Sequence, residues 1–152
     1  MKGQVSTELL VIIALVLLVF IPLLVMVYFK ANEANQQIAS YQAELAVFRL
    51  AYLSNSVGSL GTNTTVYTDV FVPKNVQTFE TRRTGNGGEI VMKVDTPQGP
   101  TEIVEIVRYP VSEVQLADQT TNGIWIRMKI SSVYVANNPP MISIQKVSSS
   151  TQ

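Results

Sequence analysis

The sequence predicts an α+β protein in which a long N-terminal hydrophobic α-helix, a stalk, precedes an antiparallel β-sandwich-like head. Three observations carry this. Residues 9–29 form an unbroken apolar run, no Gly or Pro interrupts residues 31–56, and everything beyond about residue 64 alternates in short β-like segments between turn formers. These boundaries divide the chain into residues 1–3, a helix over 4–56, a linker over 57–64, a β-rich head over 65–147 and a polar, flexible tail over 148–152.

Composition narrows the chemistry first. The chain has 152 residues, 11 Lys+Arg against 11 Asp+Glu, no His and no Cys. Without cysteine there are no disulfides, thiolate metal sites or thiol nucleophiles. Without histidine the commonest general base and metal ligand near neutral pH are missing. A net charge of zero gives no electrostatic footprint for nucleic acid, so no nucleic-acid partner is expected. The expectation is a protein that is not an enzyme and needs no cofactor or metal.

The apolar run reads LLVIIALVLLVFIPLLVMVYF, 21 residues without a charge. As a helix it spans about 30 Å, the thickness of a bilayer's hydrocarbon core. A buried helix of a soluble domain would show a polar stripe, and this run has none. It is longer than the apolar core of a secretory signal, and residues 28–32 offer no small-residue cleavage site after it. Lys2 and the initiator amine favour a cytoplasmic N-terminus, with the chain beyond Lys30 outside. Pro22 lies inside the run, where a missing donor and a steric clash predict a kink or local unwinding near residues 18–22.

Glu8 stands at the lip of the run, where a carboxylate in hydrocarbon costs at least a few kcal/mol. One reading places it in the first helical turn, in favourable interaction with the helix dipole. Ser6 or Thr7 would similarly cap the helix.

Taken together, Gly3-Gln4-Val5-Ser6-Thr7-Glu8-Leu9 followed by a long apolar stretch resembles the class III signal peptide of archaeal type IV pilin-like proteins. That pattern is a basic leader ending in Gly, then Q-x-S-x-E and an apolar helix. The resemblance covers about ten positions and the helix after them. It implies cleavage by a prepilin peptidase between Gly3 and Gln4, and a mature chain starting at Gln4. It also implies filaments in which apolar helices pack together, with Glu8 of one subunit paired to the Gln4 amine of a neighbour. A buried pair is far less costly than a lone buried charge, so this pairing would set axial register. The partners so implied are identical or related subunits, the peptidase, and the membrane before assembly. The chain would begin in the cytoplasmic membrane and end in an extracellular filament serving adhesion or surface attachment. The alternative is a single-pass, membrane-anchored β-domain that binds an envelope partner, as a stator-like or accessory component of a surface-filament machine would.

Beyond the run, Ile38, Tyr41, Leu45, Phe48 and Tyr52 recur at steps of 3 and 4, a helical stripe. Ala34, Ala39, Ala43, Ala46 and Ala51 lie between them. This outer half is expected to pack on the C-terminal domain and on neighbouring subunits.

Residues 54–63, rich in Ser, Asn and Gly, mark the boundary of the head. Strands are expected at 65–72, 76–83, 89–95, 102–109, 111–116, 124–135 (with a break at Ser131-Ser132) and 141–147. Seven or eight strands at this spacing predict a sandwich or partly open barrel. Glu102 and Glu105 fall on opposite faces of a strand and form no catalytic pair. Arg82-Arg83 and Gly85-Asn86-Gly87-Gly88 lack the strand-to-helix context of a phosphate loop. Trp125 is expected in the core or as an edge anchor. Asn63-Thr64-Thr65 is an N-glycosylation sequon in a polar loop, placed outside the cell by the topology above.

Overall fold

A computed structural model describes residues 2–96, 99–136 and 139–147, with the side chains of 2–6 left aside. One long helix, α1 (Lys2–Ser59), is followed by two antiparallel β-sheets. The chain divides into two compact units, Met1–Ile38 and Ala39–Gln152.

In the first unit the apolar run is helical throughout, and its large side chains, from Leu9 to Phe29, are all exposed. By length and composition this helix is apolar enough to cross a membrane. The helix continues through Pro22 and residues 18–22 stay helical, so the unwinding allowed by sequence does not occur. Just past the run, Lys30 Nζ lies 2.8 Å from Glu33 Oε2, an exposed pair one helical turn apart.

The second unit contains the rest of α1 and seven strands: β1 (Thr65–Val72), β2 (Val76–Thr84), β3 (Gly87–Thr96), β4 (Gly99–Val107), β5 (Val114–Thr120), β6 (Ile124–Val133) and β7 (Met141–Lys146). One sheet has the order β1-β6-β7 and the other β4-β3-β2-β5. Alternation decides which side chains turn inward. In the register Val66↔Ile130, Thr68↔Met128 and Val70↔Ile126, one face of β1–β6 is apolar, and Val70, Ile126, Met128 and Ile130 are buried. Phe79, Ile90, Met92 and Val94 supply the other sheet's share of the same core.

The bend between β4 and β5 joins the sheets at one side. Ser112 N–H donates to Ile142 O, and Ile142 N–H to Pro110 O, both at 2.8 Å. This gives Val111 a parallel bridge to Ile142 and leaves the strand expected at 111–116 to start at Val114. Gly88 makes room for the bend: a Cβ there would come 2.4 Å from Val111 Cγ2.

Strand bounds outside β5 shift by up to three residues, as in β4, which starts at Gly99 where the sequence predicts residue 102; two differences have a cause in the packing. The helix continues to Ser59, into the expected linker, because Val57 is a buried core residue and Gly58 packs under the Tyr109 ring. Strand β6 does not break at Ser131-Ser132. Ser131 pairs with both Thr65 and Ser143, and Ser132 is buried, so neighbours on both sides hold it extended.

Candidate functional site

In the second unit α1 has two apolar faces of different kinds. Ala39, Ala43, Ala46, Val47, Leu50, Ala51, Ser54 and Val57 are buried. Tyr41, Leu45, Phe48 and Tyr52 are 55–68% exposed. At about 100° per residue the centres of the two sets lie about 180° apart around the helix. The alanines allow α1 to approach the sheets closely and Val47, Leu50 and Val57 enter the core, while the aromatic residues and Leu45 face away. Ile38, in the first unit, is exposed as well. Large apolar side chains gathered on one exposed face are the pattern of an interaction surface rather than scattered surface residues.

Two clefts flank this face. On the β1 side, Gln42, Leu45, Ala46 and Arg49 meet Val70, Phe71 and Trp125 around a cavity of ≈ 230 Å³. On the β4 side, Tyr41, Glu44, Leu45 and Phe48 meet Glu105 around one of ≈ 280 Å³. Helix α1 therefore lies between β1, an edge of one sheet, and β4, an edge of the other.

The wall of the first cleft is built from an absence. Gly123 has no side chain, and a Cβ there would come 2.4 Å from Phe71 Cζ, so the Phe71 ring lies over bare backbone. Trp125, opposite Phe71 in the register, tilts against that ring with centroids 5.3 Å apart. The indole is 68% exposed, so Trp125 is neither core nor an edge residue: it stands on the central strand of its sheet, facing outward.

Gly3 and Gln4 are helical in α1, and their side chains lie outside the described residues. Helix α1 has no acidic residue in its first turn as described from Lys2, and Glu8, one turn further on, is exposed. Asn63 is exposed, with φ 66°, and its N–H donates to Ser132 O at 2.9 Å. Its sequon ends on Thr65, the first residue of β1.

Glu102 sits opposite Lys93, and Glu105 opposite the buried Ile90, which places the two carboxylates on opposite faces. Arg82 is paired with Glu80 at 2.6 Å. Asp69 lies 3.6 Å from Arg127. No group of three or more acidic residues that could hold a metal ion occurs among the described residues.

The two clefts were not legible as sites. The signal available was the helical arithmetic of residues 39–57, in which an aliphatic, alanine-rich stripe and the stripe of Tyr41, Leu45, Phe48 and Tyr52 fall on opposed sides.

No family model matches the chain, and neither a curated protein nor a solved structure matches it.

Proposed function

We propose that this chain is the structural subunit of an extracellular archaeal type IV pilus-like filament, made as a membrane-anchored precursor. The observation that carries the reading is a juxtaposition. Gly3-Gln4-Val5-Ser6-Thr7-Glu8 abuts 21 apolar residues whose large side chains are all exposed. Such a surface needs another covering. In the precursor lipid supplies it; in the filament the helices of neighbouring copies do. Cleavage between Gly3 and Gln4 frees an amine four residues before Glu8, and this cation compensates the Glu8 carboxylate of a neighbour when both leave water. In the second unit Tyr41, Leu45, Phe48 and Tyr52 are a further exposed apolar face for neighbouring copies to cover, and the β-rich head serves adhesion.

Co-expression of the full chain with an archaeal prepilin peptidase tests the first step. The expected product begins at Gln4, and Gly3→Val blocks its formation. A chain that keeps Met1 in the presence of an active peptidase supports instead the anchored binding module, in which the helix stays in the bilayer.

A further inference from the structure

The two flanks of the outward helix face carry opposite charge. Arg49 and Glu44 are five positions apart on α1, hence about 140° apart around the helix, with the exposed stripe lying in the arc between them. Arg49 edges the cleft walled by Phe71 and Trp125. Glu44 edges the other cleft, together with Glu105. Arg49, Glu44 and Glu105 make no ion pair among the described residues, whereas Lys30, Arg82 and Arg127 each have one. Strand β4, which borders the acidic flank, turns Glu105 to that side and Glu102 to its other face, and has no basic residue.

We propose that copies of this chain meet through these unlike flanks, the Arg49 side of one against the Glu44–Glu105 side of the next. This rests on the filament reading and names the contact within it. Two different surfaces on one chain make a heterologous interface, which propagates into an open assembly where a self-complementary patch would close into a dimer. Tyr41, Phe48, Tyr52 and Trp125, each more than half exposed, leave roughly 100–150 Å² of aromatic surface apiece to cover. With Leu45 the apolar patch is on the order of 500 Å², the size at which the largest patch of a soluble protein is often functional, and a large part of the ~800 Å² per partner of a standard interface. The charges choose which flank meets which, because like flanks would oppose Arg49 to Arg49 or Glu44 to Glu44.

The absence of native cysteine gives a clean test in the full chain, produced in cells that assemble it. The doubly substituted Arg49→Cys, Glu105→Cys chain, treated with a short bis-maleimide, is expected to yield a ladder of covalent dimers, trimers and higher multimers. Either single variant is expected to yield none. Covalent dimers from one single variant would mean a symmetric contact and overturn the proposal. So would the absence of multimers from the double variant when the unsubstituted chain is recovered as filaments, an outcome that leaves the filament reading standing. If the unsubstituted chain forms no filaments, that reading fails and this inference with it. Charge reversal gives a second readout that needs no cross-link. Arg49→Glu should lower filament yield at least tenfold, and adding Glu44→Arg with Glu105→Arg should restore it. An unchanged yield in Arg49→Glu overturns the pairing.

Discussion

Asn55 Oδ1 accepts the backbone N–H of Arg108 at 2.8 Å, joining the last turns of α1 to the end of β4 across 53 residues of sequence. One turn further, Gly58 lies so close to the Tyr109 ring that a Cβ would come 2.2 Å from Tyr109 Cδ2. Adjacent residues after β4 thus grip the helix by a hydrogen bond and by an aromatic ring. Asn55→Ala should cost about 0.5–1.5 kcal/mol. Gly58→Ala should cost about 1–3 kcal/mol through overpacking, less what alanine gains in helix propensity. Denaturant unfolding of the full chain in detergent, followed by the emission of its single tryptophan, measures both.

The two faces of α1 should respond in opposite ways to the same substitution. Leu50 is fully buried and Leu45 is 65% exposed. Leu50→Ala is expected to destabilise the chain by about 2–5 kcal/mol. Leu45→Ala should change the stability of the unassembled chain by less than about 0.5 kcal/mol and reduce filament yield instead. Unfolding curves and sheared-filament yields, taken together, separate the two.

Ser54 sits on the buried face with an accessibility of zero, and its hydroxyl has no hydrogen-bond partner among the described residues. A buried hydroxyl without a partner is a cost to the fold. Ser54→Ala should therefore raise stability by about 1 kcal/mol, with helix propensity acting in the same direction. A loss of stability in the same unfolding assay would show that the hydroxyl is satisfied.

Gly123→Ala should move the Phe71 ring, whose far end stands where the new methyl would go. That ring supports Trp125, so the expected outcome is a shift of tryptophan emission with little loss of stability. An unchanged spectrum would mean that Phe71 does not position the indole.

The Lys30–Glu33 pair makes a pH prediction. The hydrogen bond and charge of Lys30 hold the Glu33 carboxyl below the usual glutamate range, and Glu33 raises the Lys30 ammonium above the usual lysine value. A lowered acid contributes at neutral pH and loses that contribution as pH falls through its folded midpoint. A raised base loses its contribution as pH rises through its own. The pair is therefore formed between acid and strongly alkaline conditions, and its exposure keeps its effect small. Carbon-detected NMR titration of Glu33 should give a midpoint below that of free glutamate, returning to the ordinary range in Lys30→Gln.

Much of this architecture was legible in the sequence. The strand Thr65–Val72 matches its expected bounds, because alternation and flanking turn residues act within a few positions of it. Long-range partners decided the rest. Nothing local to Ser131-Ser132 holds it extended; strands on both sides do. Val57 reads as part of a polar linker until the core takes it in. The aromatic stripe of α1 was visible as a period, but periodicity cannot say which of two apolar faces meets the head. The inward face mixes alanines, which let the helix approach closely, with Val47, Leu50 and Val57, which fill the core. The clefts at Arg49 and Glu44 depend on which strands lie at the sheet edges, and topology is not written in any single segment.

In the filament reading the helix of one copy is covered by those of others. Mass spectrometry on filaments sheared from the surface of the native cells, reading the abundance and N-terminus of this chain, tests it most directly. The expected result is a dominant component that begins at Gln4. A chain absent from the sheared material, held in the membrane fraction and beginning at Met1, would contradict it.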